Sequence, residues 1–123
     1  MKWSFASGLA FVLLATTSVR AADTYESLRK EWISTANEIT DALKTIKDES
    51  TAKEGRPKLK KLKAKLDDIN ARQAKLGKVD IAEITAVEKK YMKDFEAALQ
   101  RWFKEETRVQ KVKGGPEALK ELK

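Results

Sequence analysis

The sequence predicts an all-α protein: an antiparallel up-down-up three-helix bundle with an N-terminal export segment before it and a short C-terminal turn after it. Three observations carry that expectation. Apolar residues recur at intervals of three and four through three successive stretches, and capping residues and glycines punctuate those stretches. Only 5 Gly and 2 Pro interrupt 123 residues rich in Ala, Lys, Glu and Leu.

The chain opens differently from the way it continues. Lys2 precedes an apolar stretch running from Phe5 through Phe11, Val12, Leu13, Leu14 and Ala15, and the small residues Val19 and Ala21 occupy the positions a signal peptidase reads. Residues 1–21 are therefore expected to be a signal peptide cleaved after Ala21, with Ala22 as the second choice. The run between Lys2 and Arg20 is diluted by Ser, Thr and Gly and falls short of the ~20 apolar residues that span a bilayer. The mature chain is expected to carry no transmembrane segment and to be exported, to a periplasm or to the medium. Cleavage removes Lys2 and Arg20, so the formal charge of +7 overstates that of the mature protein.

The first helix is expected from about Thr24 to about Glu49. Tyr25, Leu28, Trp32, Ala36, Ile39, Leu43 and Ile46 fall on one helical face, and Asp23 with Glu26 has the spacing of a capping box. In the second, Leu59, Leu62, Leu66, Ile69, Gln73 and Leu76 form a heptad seam closed by Gly77. Its start has two readings, a turn from Thr51 that bends near Pro57 or a start at Pro57 itself, because proline lacks the amide and disfavours helix at Arg56. The third helix, about residues 81–113, has Asp80 and Glu83 as a capping box, Val79 and Ile84 as a hydrophobic staple, and Gly114-Gly115-Pro116 as its stop. Its length predicts overhanging last turns. Residues 114–123 are expected to form a short, weakly held turn.

Composition excludes whole classes of chemistry. With no Cys and no His there is no thiol nucleophile, disulfide, imidazole acid-base pair or Cys/His zinc site. Asp67-Asp68 and Glu105-Glu106 are adjacent pairs whose side chains diverge by ~100° on a helix. Catalytic residues, cofactors and metal ligands are accordingly expected to be absent.

Charge is the outstanding pattern. Between Arg56 and Lys78 nine basic residues face only Asp67 and Asp68, whereas Ala22 to Ser50 is net acidic. Lys58, Lys61, Lys65, Arg72 and Lys75 follow one flank of the leucine seam and form a candidate anion-binding row. The competing reading sets these cations against the carboxylates of the first helix. Nucleic acid fits poorly, since residues 57–78 offer no aromatic ring for base stacking. Most aromatics fall at core spacing, but Phe103, one step beyond Trp102, is a candidate for an exposed apolar patch with Met92 and Ile33.

These features point to an exported, non-enzymatic module that binds a protein or an envelope component. A basic adsorption module for lipid headgroups or cell-wall polymer is the first alternative, and a chaperone-like holdase the second. A monomer is expected, with pairing of two chains as the alternative.

Overall fold

A computed structural model describes residues 23–123, and the expected signal peptide with its cleavage point lies outside the described residues. The described chain is helical, with no strand. Three long helices, α1 (Tyr25–Lys44), α2 (Glu49–Lys75) and α3 (Ile81–Gln110), are followed by a short α4 (Gly115–Leu119) and a 3-10 turn (Lys120–Leu122).

α1 begins one residue later than the Asp23–Glu26 pair suggests. The Thr24 hydroxyl accepts from the Ser27 amide at 3.0 Å, and the Ser27 hydroxyl accepts from the Thr24 amide at 2.9 Å, closing a reciprocal box. Both acids of the expected box are engaged across the structure instead, Asp23 by Arg72 and Glu26 by Lys90 and Tyr91. α1 also stops at Lys44 rather than near Glu49, because side chains occupy its terminal carbonyls. The Thr45 hydroxyl donates to Ala42 at 2.7 Å, and Arg108 reaches from α3 to the carbonyls of Leu43 and Ile46, each at 2.8 Å.

Neither expected start of α2 holds. Asp48 caps it, accepting from the Thr51 amide at 2.9 Å while the Thr51 hydroxyl takes the Asp48 amide. The helix then runs unbroken through Pro57. An interior proline costs about 3 kcal/mol relative to alanine. Here Pro57 and Lys53 are both exposed, so the carbonyl deprived of its donor lies on the wet side of the helix, while Ala52 and Leu59 are buried at 1% and 0% exposure. The strong cap and that burial offset the proline. The heptad seam is buried at Leu59, Leu62, Leu66 and Ile69, and Gly77 terminates the segment at φ 70°.

Asp80 caps α3 as the sequence indicates, accepting from the Ala82 amide at 3.3 Å. Glu83 makes no return bond, so only the Asp80 half of that capping box forms.

α1 is the middle helix. α2 runs antiparallel to it, with Arg72 against Asp23 and Glu31 and Lys65 against Glu38. α3 runs parallel to it, with Glu88 against Tyr25 and Arg29, Arg101 against Asn37, and Arg108 against Leu43 and Ile46. α2 and α3 each pack along α1 but make no close backbone approach to each other. α1 is thus buried on two flanks, which explains why Ile33, Thr35, Thr40 and Ala42 are covered as well as the single apolar face. Thr35 and Thr40 satisfy their buried hydroxyls by donating to the carbonyls of Glu31 and Ala36 one turn back. Ile33, Ala36 and Ala98 form a small cluster between α1 and α3, while a larger cluster joins Ile39, Leu43 and Ile46 to Leu59, Leu62, Leu66 and the C-terminal segment.

That segment corrects the sequence reading most sharply. Residues 114–123 are not a weakly held turn: Ala118 and Leu119 are 0% and 2% exposed within the larger cluster. Because α2 and α3 make no close backbone approach to each other, that pair alone does not close this end. α4 packs against both of them, and Arg56 binds Glu121 through two nitrogens at 3.0 and 2.7 Å. Gly114 turns at φ 80°, and a Cβ on Gly115 would sit 1.8 Å from the Val109 carbonyl oxygen. The last turns of α3 do not overhang. Val109 there is fully buried.

Candidate functional site

The charged candidates separate into two groups. Arg72 stands at the centre of an acidic network, binding Glu31 at 2.5 Å, Asp23 at 3.0 Å and Asp68 at 3.1 Å, and its side chain is only 13% exposed. The Glu31 hydrogen bond raises the Arg72 pKa above its ordinary value. Lys65 is bound to Glu38 at 2.9 Å. These two members of the basic row are braces between α1 and α2, as the competing reading of the charge pattern has it. Lys58, Lys61 and Lys75 are exposed, and none makes an ion pair among the described residues. An open groove of about 490 Å³ adjoins Lys58 between α1 and α2, with Glu38, Asp41 and Glu54 on its walls and Ala42 and Gly55 in its lining.

The α1–α3 seam is braced in the same way. Glu26 accepts from Tyr91 at 2.6 Å and from Lys90 at 2.8 Å, and those two bonds, the lysine one foremost, hold its carboxyl below the usual range. Glu26 in turn raises both Lys90 and Tyr91. Arg29 pairs with Glu88 at 2.6 Å and lies 4.9 Å over the Phe95 ring. Glu26, Glu31, Glu38 and Glu88 therefore each receive a cation from a neighbouring position, which fits them for orienting helices. Among the described residues no group of three or more His, Cys, Asp or Glu is arranged to hold a metal ion, and no helix is long and apolar enough to cross a membrane.

The apolar candidates also divide. Ile33 belongs to the buried cluster between α1 and α3 at 9% exposure, so it is no part of an outside patch. It lies on the second buried flank of α1, which a one-face reading leaves outside. Met92 and Phe103 are exposed at 53% and 58%, and Ile81, which sequence reasoning treated only as the first residue of its helix, is exposed at 78%. These three are the exposed large hydrophobic residues among those described. They stand eleven residues apart, and eleven residues make three turns plus only ~20°, so they form one straight line down α3 over ~33 Å. The spacing was present in the sequence. A search restricted to three- and four-residue intervals passes over it.

Behind this line the aromatics are partly covered. Trp32 stacks at 5.1 Å from Phe95 and 6.3 Å from Trp102, and the Trp102 ring lies 6.5 Å from Phe103. Trp102 donates its indole N–H to Glu106 at 2.9 Å. A rigid aromatic layer thus supports the exposed Phe103 ring. A hollow of about 220 Å³ opens beside Met92, lined by Arg29, Glu88, Tyr91, Phe95 and Glu96.

No family model matches the chain, and neither the curated proteins nor the solved structures include a significant match.

Proposed function

We propose that this protein is an exported, non-enzymatic interaction module whose three-helix, up-down-up scaffold presents the outer line of α3 to a protein. The observation that carries the reading is the alignment of Ile81, Met92 and Phe103, each more than half exposed, on one helical face. Isolated exposed apolar residues are ordinary, whereas three of them aligned on one face of the longest helix, about 16 Å apart, favour a contact surface. The polar braces use up the other notable groups of the helix seams, which leaves this line as the unengaged apolar feature. Placing a photoreactive side chain at Met92 and irradiating intact cells tests it. A protein adduct at Met92, absent when the group is placed at exposed Ala71 on α2, is expected; equal labelling or none at both positions refutes the reading.

Adsorption to an anionic envelope surface is the second reading, favoured by Lys58, Lys61 and Lys75, which are exposed and make no ion pair among the described residues. Three separated lysines give an electrostatic attachment that salt reverses. Sedimentation with anionic vesicles at low salt, lost at a few hundred millimolar, is its expected outcome.

A further inference from the structure

We infer that the occupant of the α3 surface is a second copy of this chain, docked antiparallel about a two-fold axis at Met92; the inference rests on the contact-surface reading above. The line is symmetric about its own midpoint. Ile81 precedes Met92 by as many residues as Phe103 follows it. An antiparallel two-fold pairing, the commonest form of self-association, therefore sets Met92 against Met92 and Ile81 against Phe103 of the second copy, with half-buried Leu99 opposite Thr85.

The charges beside the line agree with that register. Lys89 and Glu96 both lie on the same edge of it, about 40–60° round the helix from Met92. Neither makes a hydrogen bond or ion pair among the described residues. They are too far apart along α3 to bind each other, at about 10 Å of rise. Lys89 comes three residues before Met92 and Glu96 four after it, so reversal about the axis brings Lys89 of one copy level with Glu96 of the other to within about 1.5 Å of rise. Two such pairs form, one at each side of Met92. On the opposite edge Glu88 is neutralised by Arg29 of its own chain, so it does not repel its counterpart. The hollow bordered by Phe95 and Glu96 lies beside the axis, where it receives an apolar side chain of the second copy.

The area is sufficient for a small interface. Three large side chains exposed by 53–78%, with their flanking residues, bring the two copies together over on the order of 1,000 Å², the lower limit of a specific interface.

Sedimentation velocity from about 1 to 200 μM tests it on the purified protein, with circular dichroism verifying the fold of each variant. A monomer–dimer equilibrium is expected for the wild type. Met92→Lys, Lys89→Glu and Glu96→Lys alone each weaken association about tenfold or more, whereas Lys89→Glu combined with Glu96→Lys restores it to within about threefold. A wild-type monomer at the highest concentration overturns the proposal, as does a dimer indifferent to the charge exchange. Met92 photo-adducts assign the failure. Adducts at the mass of chain plus a different protein leave the contact-surface reading standing and remove the second copy, while no adduct removes both.

Discussion

Replacing Leu119 by alanine tests whether the last ten residues belong to the core. Leu119 is 2% exposed within the cluster that includes Leu43, Ile46 and Leu59. The substitution removes three carbon groups at about 0.8 kcal/mol each, or ~2.4 kcal/mol of transfer free energy. The vacated volume is walled by α2, α3 and the α4 backbone, so incomplete collapse raises the loss to about 3–4 kcal/mol, within the usual range for buried leucine. For a domain near 100 residues each kcal/mol moves Tm by roughly 4–8 °C, so a fall of about 12 °C or more is expected. Urea denaturation followed at 222 nm measures the change directly, and Leu122→Ala, half-buried at the margin of the same cluster, serves as a milder control with a loss of about 1 kcal/mol. A loss under about 0.5 kcal/mol for Leu119→Ala, with an unchanged denaturant slope, would refute the packing of the C-terminal segment.

Gly115→Ala is expected to destabilise by at least about 2 kcal/mol, since the added methyl meets the Val109 carbonyl 1.8 Å away and cannot be relieved by a rotamer change; a Tm equal to wild type would remove that close approach. Arg72→Ala leaves Asp23, Glu31 and Asp68 without their shared cation and costs about 1–2 kcal/mol after discounting for the part-exposed carboxylates. The gap between variant and wild type should narrow in 0.5 M salt, and a salt-independent gap would point to lost packing instead. Glu26 and Asp48 both ionise more readily in the folded chain than their ordinary values of 4.5 and 3.8, Glu26 through Lys90 and Tyr91 and Asp48 through Thr51. Their stabilisation is complete above those ordinary values and is lost as pH falls through the lower folded values. Thermal melts from pH 6 to pH 2 should show a declining Tm, less steep in Glu26→Gln and Asp48→Asn; a flat profile for the wild type would remove the effect.

Helical character and the buried seam of α2 were legible because each apolar residue repeats on one side of a helix with no competing period. Leu59, Leu62, Leu66 and Ile69 all lie inside as that pattern requires. What escaped had non-local causes. The end of α1 depends on Arg108, more than sixty residues away, reaching its last carbonyls. The sequence offers Thr51 or Pro57 as the start of α2, whereas Asp48, three residues before Thr51, supplies the cap through its reciprocal bonds with Thr51. Ile33, a candidate for the outside patch, lies beside the main apolar stripe of α1, and packing of that helix on two flanks buries it. Among the candidates for binding, Phe103 and Met92 are exposed as the sequence suggests, while Arg72 is drawn into a carboxylate cluster that no charge count along the chain could locate.

The parallel course of α1 and α3 has a kinetic consequence. Side-chain hydrogen bonds joining α1 and its flanking residues to α2 span 27 to 49 positions, whereas those to α3 span 59 to 65 and the Trp32–Trp102 ring contact spans 70. Closing the longer excursion uses more chain entropy before any contact rewards it, so this helical protein should fold more slowly than hairpin-built helical proteins of its size. The slow event is the docking of the third long helix onto a hairpin already formed. Trp32 and Trp102 meet across that seam and report it by stopped-flow fluorescence. A tryptophan signal that develops in step with the earliest helical dichroism would reverse the order.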